Sequence, residues 1–434
     1  MRALLRSLMA LVLLAGMARA EIAVQEITSE SGVTAWLLED HSLPLVTLRF
    51  AFEGGSRADP EGLSGTAYLM SGLMDEGAGE MASEAFLSAV DDAGAELSFF
   101  VRDGYFGGSL RVLREDAPEA LALLSLAVTD PRFDEAPVER IRRQILSSLA
   151  AQQADPQAQA SLARDRALYG DHPFARNRKG DMAELARVTR ADLHAFHAAQ
   201  FTRDRLHVAV VGAVSEADLA GWLDRVFGAL PETAPAQAAA VPEPTFGQTV
   251  RIAAPTPSTT ILMTWPAPAQ RDADFPVAAV MNHIFGAAPM SSRLFDELRN
   301  ARGLVYGVNT ALDPEAITPQ FLISTQTRTD RLEETLSVID AELARLAEDG
   351  PGAAELAEAK AYLSGVFFVR NFGGSAAAAE TLLSLQMAGL APRYLADRAT
   401  LYDGVTAEDV RRFAATLAAM KPAVLLIGPE AASN

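Results

Sequence analysis

The chain has 434 residues, 49% of them hydrophobic, no cysteine, and a formal charge of −19 from 37 basic and 56 acidic side chains. Without cysteine there are no disulfides and no thiolate metal sites, and the negative charge argues against nucleic acid and anionic membrane surfaces as partners. Single hydrophobic cores stop growing beyond roughly 250–300 residues, so two domains are expected.

Arg2 and Arg6 precede an apolar run from Leu8 to Met17 that is too short to span a bilayer comfortably, and Ala18-Arg19-Ala20 fits the small-x-small cleavage rule. Residues 1–20 therefore read as an export signal, with a periplasmic mature chain starting at Glu21. No later stretch is long and apolar enough for a membrane helix. Strands are expected over 33–38 and 45–52 as a hairpin, a helix over 62–74, and strands over 95–101 and 105–113. A helical stripe through Leu121, Leu124 and Val128 follows. Val188-Thr-Arg-Ala-Asp-Leu193 then opens a helix that leads to a strand, Val208-Ala-Val-Val-Gly212.

Much of this order recurs in the second half. Val405-Thr-Ala-Glu-Asp-Val410 opens another helix leading to Val424-Leu-Leu-Ile-Gly428, at offsets of 217 and 216 from the first unit. Strands over 250–254 and 259–265 match the first pair. The strand 321–326 precedes a helix with Leu332, Leu336, Ile339, Leu343 and Leu346 on one stripe. Between the copies, Pro231 to Thr245 is rich in Pro and Ala and reads as an extended linker. The expected organisation is a domain at 21–230, the linker at 231–245 and a domain at 246–434. Each domain is α+β, a mostly antiparallel sheet with helices packed on one face.

In the second copy, Ser291 to Thr310 (SSRLFDELRNARGLVYGVNT) sets Arg299 and Tyr306 seven positions apart across a helix end and a strand start. Leu294, Phe295 and Leu298 have helical spacing, Arg299 and Arg302 sit in the last turn, and Gly303 stands where a left-handed C-cap belongs. A guanidinium and a phenol at one junction can stabilise a developing oxyanion. Read in isolation, the same residues also describe solvated arginines and a tyrosine packed on a sheet.

SSRLFDELRNARGLVY, the segment His172-Pro-Phe-Ala-Arg176, the VTRADL-to-VAVVG unit and the duplication together resemble the insulinase/pitrilysin family of metallopeptidases, in its short branch of paired two-domain subunits. The resemblance implies the processing-peptidase-like (LuxS-like metallohydrolase) fold. It gives Arg299 and Tyr306 the roles of the arginine and tyrosine that reach into a zinc site built by an HxxEH helix and a distant glutamate. Two histidines four apart would face one metal, with the glutamate beside the second as general base. At the matching positions this chain has Tyr68 and Gly72 for the histidines, Ser71 for the base and Ser148 for the third ligand. None of the four can do that chemistry.

Other candidates are weighed against plainer readings. His194 and His197 form an HxxH near Asp192, a relocated metal site only if a further ligand joins them. His283 reads as a hydrogen-bonded helix residue and His172 as a turn residue, with its neighbour Asp171 capping the next turn. Ala95 to Val101 resembles the family's peptide-pairing edge strand, with Phe99 and Phe100 read as core. Gly373-Gly374 punctuates two helices.

The resemblance implies a zinc-free subunit of an exported heterodimeric peptidase, inactive alone. It would hold no cofactor and would supply Arg299 and Tyr306 to an HxxEH-bearing, zinc-binding partner that hydrolyses peptides. The alternative is a non-enzymatic assembly or peptide-binding protein that retains the fold. Export predicts a mature chain beginning at Glu21. Intact-mass measurement of the exported protein checks it, and a mass retaining the first twenty residues overturns it.

Overall fold

The computed structural model describes residues 23–429 apart from 235–240 and 315–317. The expected export signal and the centre of the expected linker lie outside the described residues. In the first half, β1 (Gln25–Thr28), β2 (Thr34–Glu39), β3 (Leu45–Glu53), β6 (Glu96–Val101), β7 (Tyr105–Leu113) and β8 (Leu206–Gly212) form a sheet of order β1-β2-β8-β3-β7-β6. A short ribbon of β4 (Gly77–Ala78) and β5 (Met81–Ala82) stands apart. In the second half, β9 (Thr249–Ala253), β10 (Ser258–Pro266), β11 (Val305–Asp313), β12 (Gln320–Arg328) and β13 (Ala423–Gly428) take the order β11-β12-β10-β13-β9. Apart from the extra β1, the two orders are the same order, and each sheet has a single parallel pair, β2 with β8 and β9 with β13.

The expected hairpins are not hairpins. In each half the last strand inserts between the first two, pairing parallel with one and antiparallel with the other. The insertion is sealed in the same way twice: Asp40 N donates to Gly212 O at 2.9 Å, and Ala254 N donates to Gly428 O at 2.7 Å. Both strands end in glycine because the neighbouring strand passes too close for a side chain. A Cβ on Gly212, whose φ is 139°, would overlap the Leu45 carbonyl oxygen, and one on Gly428 would lie 2.5 Å from Thr259 Oγ1. Sequence alternation reports that 33–38 and 45–52 are strands, and it is silent on what lies between them.

Alternation along the strands explains how the halves combine. Ala35, Leu37, Phe50, Phe52, Val208 and Val210 face the first half's own helices, while Trp36, Ala51, Ala209 and Val211 face the other way. That second face is covered by a helix from the far half, Ser375–Met387, through Ala378, Ala379, Leu382 and Leu383. The exchange is reciprocal. The first half's helix Pro156–Tyr169 sets Ala160 against Leu425 and Ile427 on the second sheet's outer face. Polar contacts fix the first of these seams: Arg49 pairs with Glu380, Thr47 Oγ1 donates to Ser375 Oγ at 2.9 Å, and Gln386 Nε2 donates to Val208 O at 2.8 Å.

The repeated helix openings are capping boxes. Asp192 N donates to Thr189 Oγ1 at 3.2 Å and Thr189 N to Asp192 Oδ2 at 2.8 Å; Asp409 N and Thr406 Oγ1 (3.1 Å), with Thr406 N and Asp409 Oδ2 (3.0 Å), repeat the pattern. Further along the first of these helices, Arg190–Gln200, His197 places Nε2 2.8 Å from Val128 O and its ring 4.5 Å from that of Phe201.

Burial lowers the His197 imidazole below its ordinary value of 6.5, so the folded protein keeps it neutral. As pH falls below about 6.5 the unfolded chain takes up that proton first. The contribution of His197 to stability is therefore complete above that pH and lost below it. In denaturant unfolding, wild-type stability relative to His197→Gln should fall between pH 7 and about 5.5, and a pH-independent difference overturns this. In the same assay Gly212→Ala should destabilise by at least about 2 kcal/mol through backbone overlap and strain. Gly221→Ala, in the helix Glu216–Phe227 with nothing within 4 Å of the added Cβ, should stabilise by about 0.5–1 kcal/mol.

Candidate functional site

Ser292 starts the helix that carries the motif, accepting from Phe295 N at 3.4 Å. The helix runs over Arg293–Phe295 and then widens to a π turn over Asp296–Ala301, with Leu294 and Leu298 fully buried beneath it. Gly303 takes the expected left-handed conformation at φ 60°. Its N–H donates to Arg299 O at 3.1 Å, and Leu304 N donates to Leu298 O at 2.7 Å. The chain then enters β11, an edge strand, through a bulge between Val305 and Val308 that re-aims Tyr306. Tyr306 is 87% exposed.

Arg299 lies between two rings, its guanidinium carbon 4.9 Å from the centroid of Phe295 and 4.9 Å from that of Tyr306. Its neighbours in the motif are neutralised. Arg293 forms a two-pronged pair with Glu355 at 2.8 and 2.8 Å, and Arg302 meets Glu297 at 2.9 Å. Among the described residues Arg299 has no carboxylate partner and the Tyr306 hydroxyl no hydrogen bond. A stacked guanidinium is held by the ring faces and keeps its in-plane donors free.

The supporting residues lie on β12 and the helix after it, and sequence reasoning missed them. Thr327 Oγ1 donates to Leu304 O at 2.8 Å, Thr325 Oγ1 to Gly307 O at 2.8 Å, and Thr335 Oγ1 to Thr327 Oγ1 at 3.0 Å. The first two hydroxyls satisfy the carbonyls of Leu304, just before the strand, and of Gly307, within the bulge. The signal was present as alternate threonines on the inward face of β12, at Thr325 and Thr327.

The positions that the resemblance matches to a metal site, Tyr68, Ser71, Gly72 and Ser148, come together in the first half. The helix over 62–74 is shorter than expected, Thr66–Ser71, because Gly65 is left-handed at φ 91°. The Asp59 carboxylate accepts there from Gly65 N at 2.6 Å and Ala67 N at 2.8 Å. Burial pushes the Asp59 carboxyl up to about 7, against the downward pull of those two N–H groups. Ser71 Oγ turns back to donate to Tyr68 O at 2.8 Å. A Cβ on Gly72 would lie 3.0 Å from Ile141 Cγ2, on the long helix Glu135–Gln153 that also carries Ser148. Ser148 Oγ accepts from Lys179 Nζ at 2.7 Å, and the same ammonium lies 5.8 Å from the Tyr68 ring centroid. These side chains do not fit zinc: they offer no imidazole or carboxylate, and a fixed positive charge stands among them.

His194 packs its ring 5.0 Å from Phe133 on the helix it shares with His197, whose Nε2 is engaged with Val128 O. No group of three His, Asp or Glu side chains suited to a metal occurs among the described residues. His283 is buried and stacked on Tyr362 with centroids 4.4 Å apart, and burial lowers its pKa. His172 caps the turn Pro173–Ala175, its Nδ1 accepting from Phe174 N at 3.3 Å, in place of the expected Asp171. On the edge strand β6, Phe99 packs on Phe50 at 6.1 Å, whereas Phe100 faces the other side of the sheet under Arg49, 5.6 Å away. Gly373 and Gly374 separate the helices Ala353–Asn371 and Ser375–Met387.

Comparison with known proteins accords with this arrangement. Residues 35–181 match the family described as Insulinase (Peptidase family M16), and residues 187–363 match the Peptidase M16 inactive domain. A protein of Mycobacterium leprae named an uncharacterized zinc protease is 27% identical over 315 residues, covering 72% of this chain and 71% of that protein. A Helicobacter pylori protein named a non-peptidase homolog is 23% identical over 359 residues, 82% of each chain. The crystal structure of a peptidase M16 inactive domain from Pseudomonas fluorescens superposes with a TM-score of 0.86 at 28% identity, over 95% of this chain and 99% of that one. With its two M16-type domains, the chain belongs to the insulinase family of peptidases as a non-catalytic member.

Proposed function

We propose that this chain is the zinc-free subunit of an exported heterodimeric peptidase and that it lends Arg299 and Tyr306 to the active site of a partner carrying HxxEH. The observation that carries this reading is the state of Arg299: stacked between Phe295 and Tyr306, it alone of the motif's Arg293, Arg299 and Arg302 keeps its charge unpaired among the described residues. A purely structural helix end would not need an exposed phenol on a bulge braced by two threonine hydroxyls.

In the assembled site the partner's zinc would supply the activated water. Tyr306 would donate its hydroxyl proton in a hydrogen bond to the oxyanion that develops on the scissile carbonyl. Arg299 would hold the phenol by its ring face and add a positive potential at that oxygen. Such donors act because they are already in place when the charge develops. A second reading, assembly or peptide binding without catalysis, draws on the Helicobacter pylori relative named a non-peptidase homolog.

With an HxxEH-bearing partner co-purified, Tyr306→Phe and Arg299→Ala should each lower kcat by roughly 10²- to 10³-fold, while dimer formation and the partner's zinc content stay unchanged. Peptide hydrolysis, elemental analysis and light scattering read these out. If both variants assemble normally and cleave at the wild-type rate, the assembly reading takes the place of this one.

A further inference from the structure

We propose that Phe295 is a positioning residue for Arg299 and Tyr306: its ring holds one face of the Arg299 guanidinium, so that the other face fixes the exposed ring of Tyr306. The catalytic consequence rests on the reading above, whereas the stack itself stands on geometry within this chain.

The three side chains form three layers, with the Arg299 guanidinium carbon 4.9 Å from each ring centroid. The layers are unequally anchored. Phe295 is half-buried and ends the helix Arg293–Phe295, which is tied down around it: Arg293 Nε and Nη2 each donate to Glu355 at 2.8 Å, Nη2 also donates to Gly350 O at 3.0 Å, and Leu294 and Leu298 are fully buried. Tyr306 stands at the start of an edge strand and is 87% exposed. Order therefore passes outward, from Phe295 through Arg299 to Tyr306. Phe295 and Arg299 are four apart, the spacing at which side chains meet on one helix face. The helix widens into its π turn directly after Phe295, a departure from α geometry that recurs at functional sites.

A second arginine between two rings shows what packing alone does. The guanidinium carbon of Arg398 lies 3.9 Å from the Phe367 centroid and 4.3 Å from that of Tyr402, but Arg398 is 6% exposed, Tyr402 is 2% exposed, and Arg398 Nη1 donates to Leu363 O at 2.9 Å. That stack belongs to the interior. At Arg299 the outermost ring stays in water, so the stack gains little burial, and what it fixes is the direction of a phenol. One exposed ring favours a stacked guanidinium by only about two- to fivefold. A ring on each face, one of them rooted in the fold, narrows the orientations left to the other two layers.

The first test uses the full mature chain alone, with isotopically labelled arginine, and follows the Arg299 Nε–H signal by nuclear magnetic resonance, identified by its loss in Arg299→Lys. Ring faces shield that proton. The two rings are equally distant, so Phe295→Leu should reduce the shielding more than Tyr306→Leu does, because losing the anchoring ring releases the outer one as well. Phe295→Tyr should retain the wild-type position, and Phe295→Met replaces the leucine variant should that one unfold. Equal losses, or a smaller loss in Phe295→Leu, overturn the proposal.

The second test uses the complex with an HxxEH-bearing partner. Phe295→Leu should lower kcat by about two- to fivefold with KM unchanged, Phe295→Tyr should restore it, and Phe295→Leu should cost nothing further in an Arg299→Ala background. An effect of Phe295→Leu that persists in that background, or no effect where Arg299→Ala itself slows the reaction, also overturns the proposal. If Arg299→Ala leaves kcat at the wild-type value, the catalytic reading fails, and the resonance shifts still decide the stack.

Discussion

Each sheet of this protein is apolar on both faces, and its own half of the chain covers only one of them. The second face is closed by a helix borrowed from the other half: Ser375–Met387 lies on the first sheet and Pro156–Tyr169 on the second. A face carrying Trp36, Ala51, Ala209 and Val211 cannot be left to water without a large hydrophobic penalty, at about 25 cal/mol for every Å² exposed. The two halves therefore cannot separate as independent units, whatever the linker does. The Arg49–Glu380 pair and the Thr47–Ser375 hydrogen bond sit on that seam and set its register, which nonpolar burial alone would not.

Much of this was legible. The duplicated VTRADL and VTAEDV units announce two capping boxes, and the glycines after VAVV and VLLI are required by a strand passing alongside. The exchange left a signal that the expectation of helices on one face did not use, in the apolar runs 208–212 of β8 and 423–428 of β13. A strand that is apolar at every position is buried on both faces, so helices on a single face could not be the whole arrangement. The inserted last strand was not legible, because alternation identifies strands and not their neighbours. Nor could the short helix at Thr66–Ser71 be read, since its start is set by Asp59 reaching Gly65 and Ala67 across several residues of loop.

At the candidate site, the sequence singled out two residues and the structure adds what holds them. Arg299 and Tyr306 are recognisable from their spacing, but a spacing does not say that Arg299 is stacked, that its neighbours are neutralised, or that the phenol stands on a bulge. Those facts depend on Glu355 and Glu297, and on threonines of a strand that comes after the motif. Lys179 was invisible for a related reason: it is thirty-one positions from Ser148, and only the fold brings the two within hydrogen-bonding distance.

At the positions that the resemblance matches to a zinc site, more differs than the ligands. In a metal site the ligands are held by the cation, and helices without one need another bond. Here the ammonium of Lys179 on Ser148 ties the segment after Asn177 to the long helix Glu135–Gln153, and Ile141 closes against Gly72 with no room for a larger side chain. A histidine placed at position 72 would have to displace Ile141. A dication would then enter beside a lysine that repels it. Packing and electrostatics thus both oppose a metal here, by independent routes.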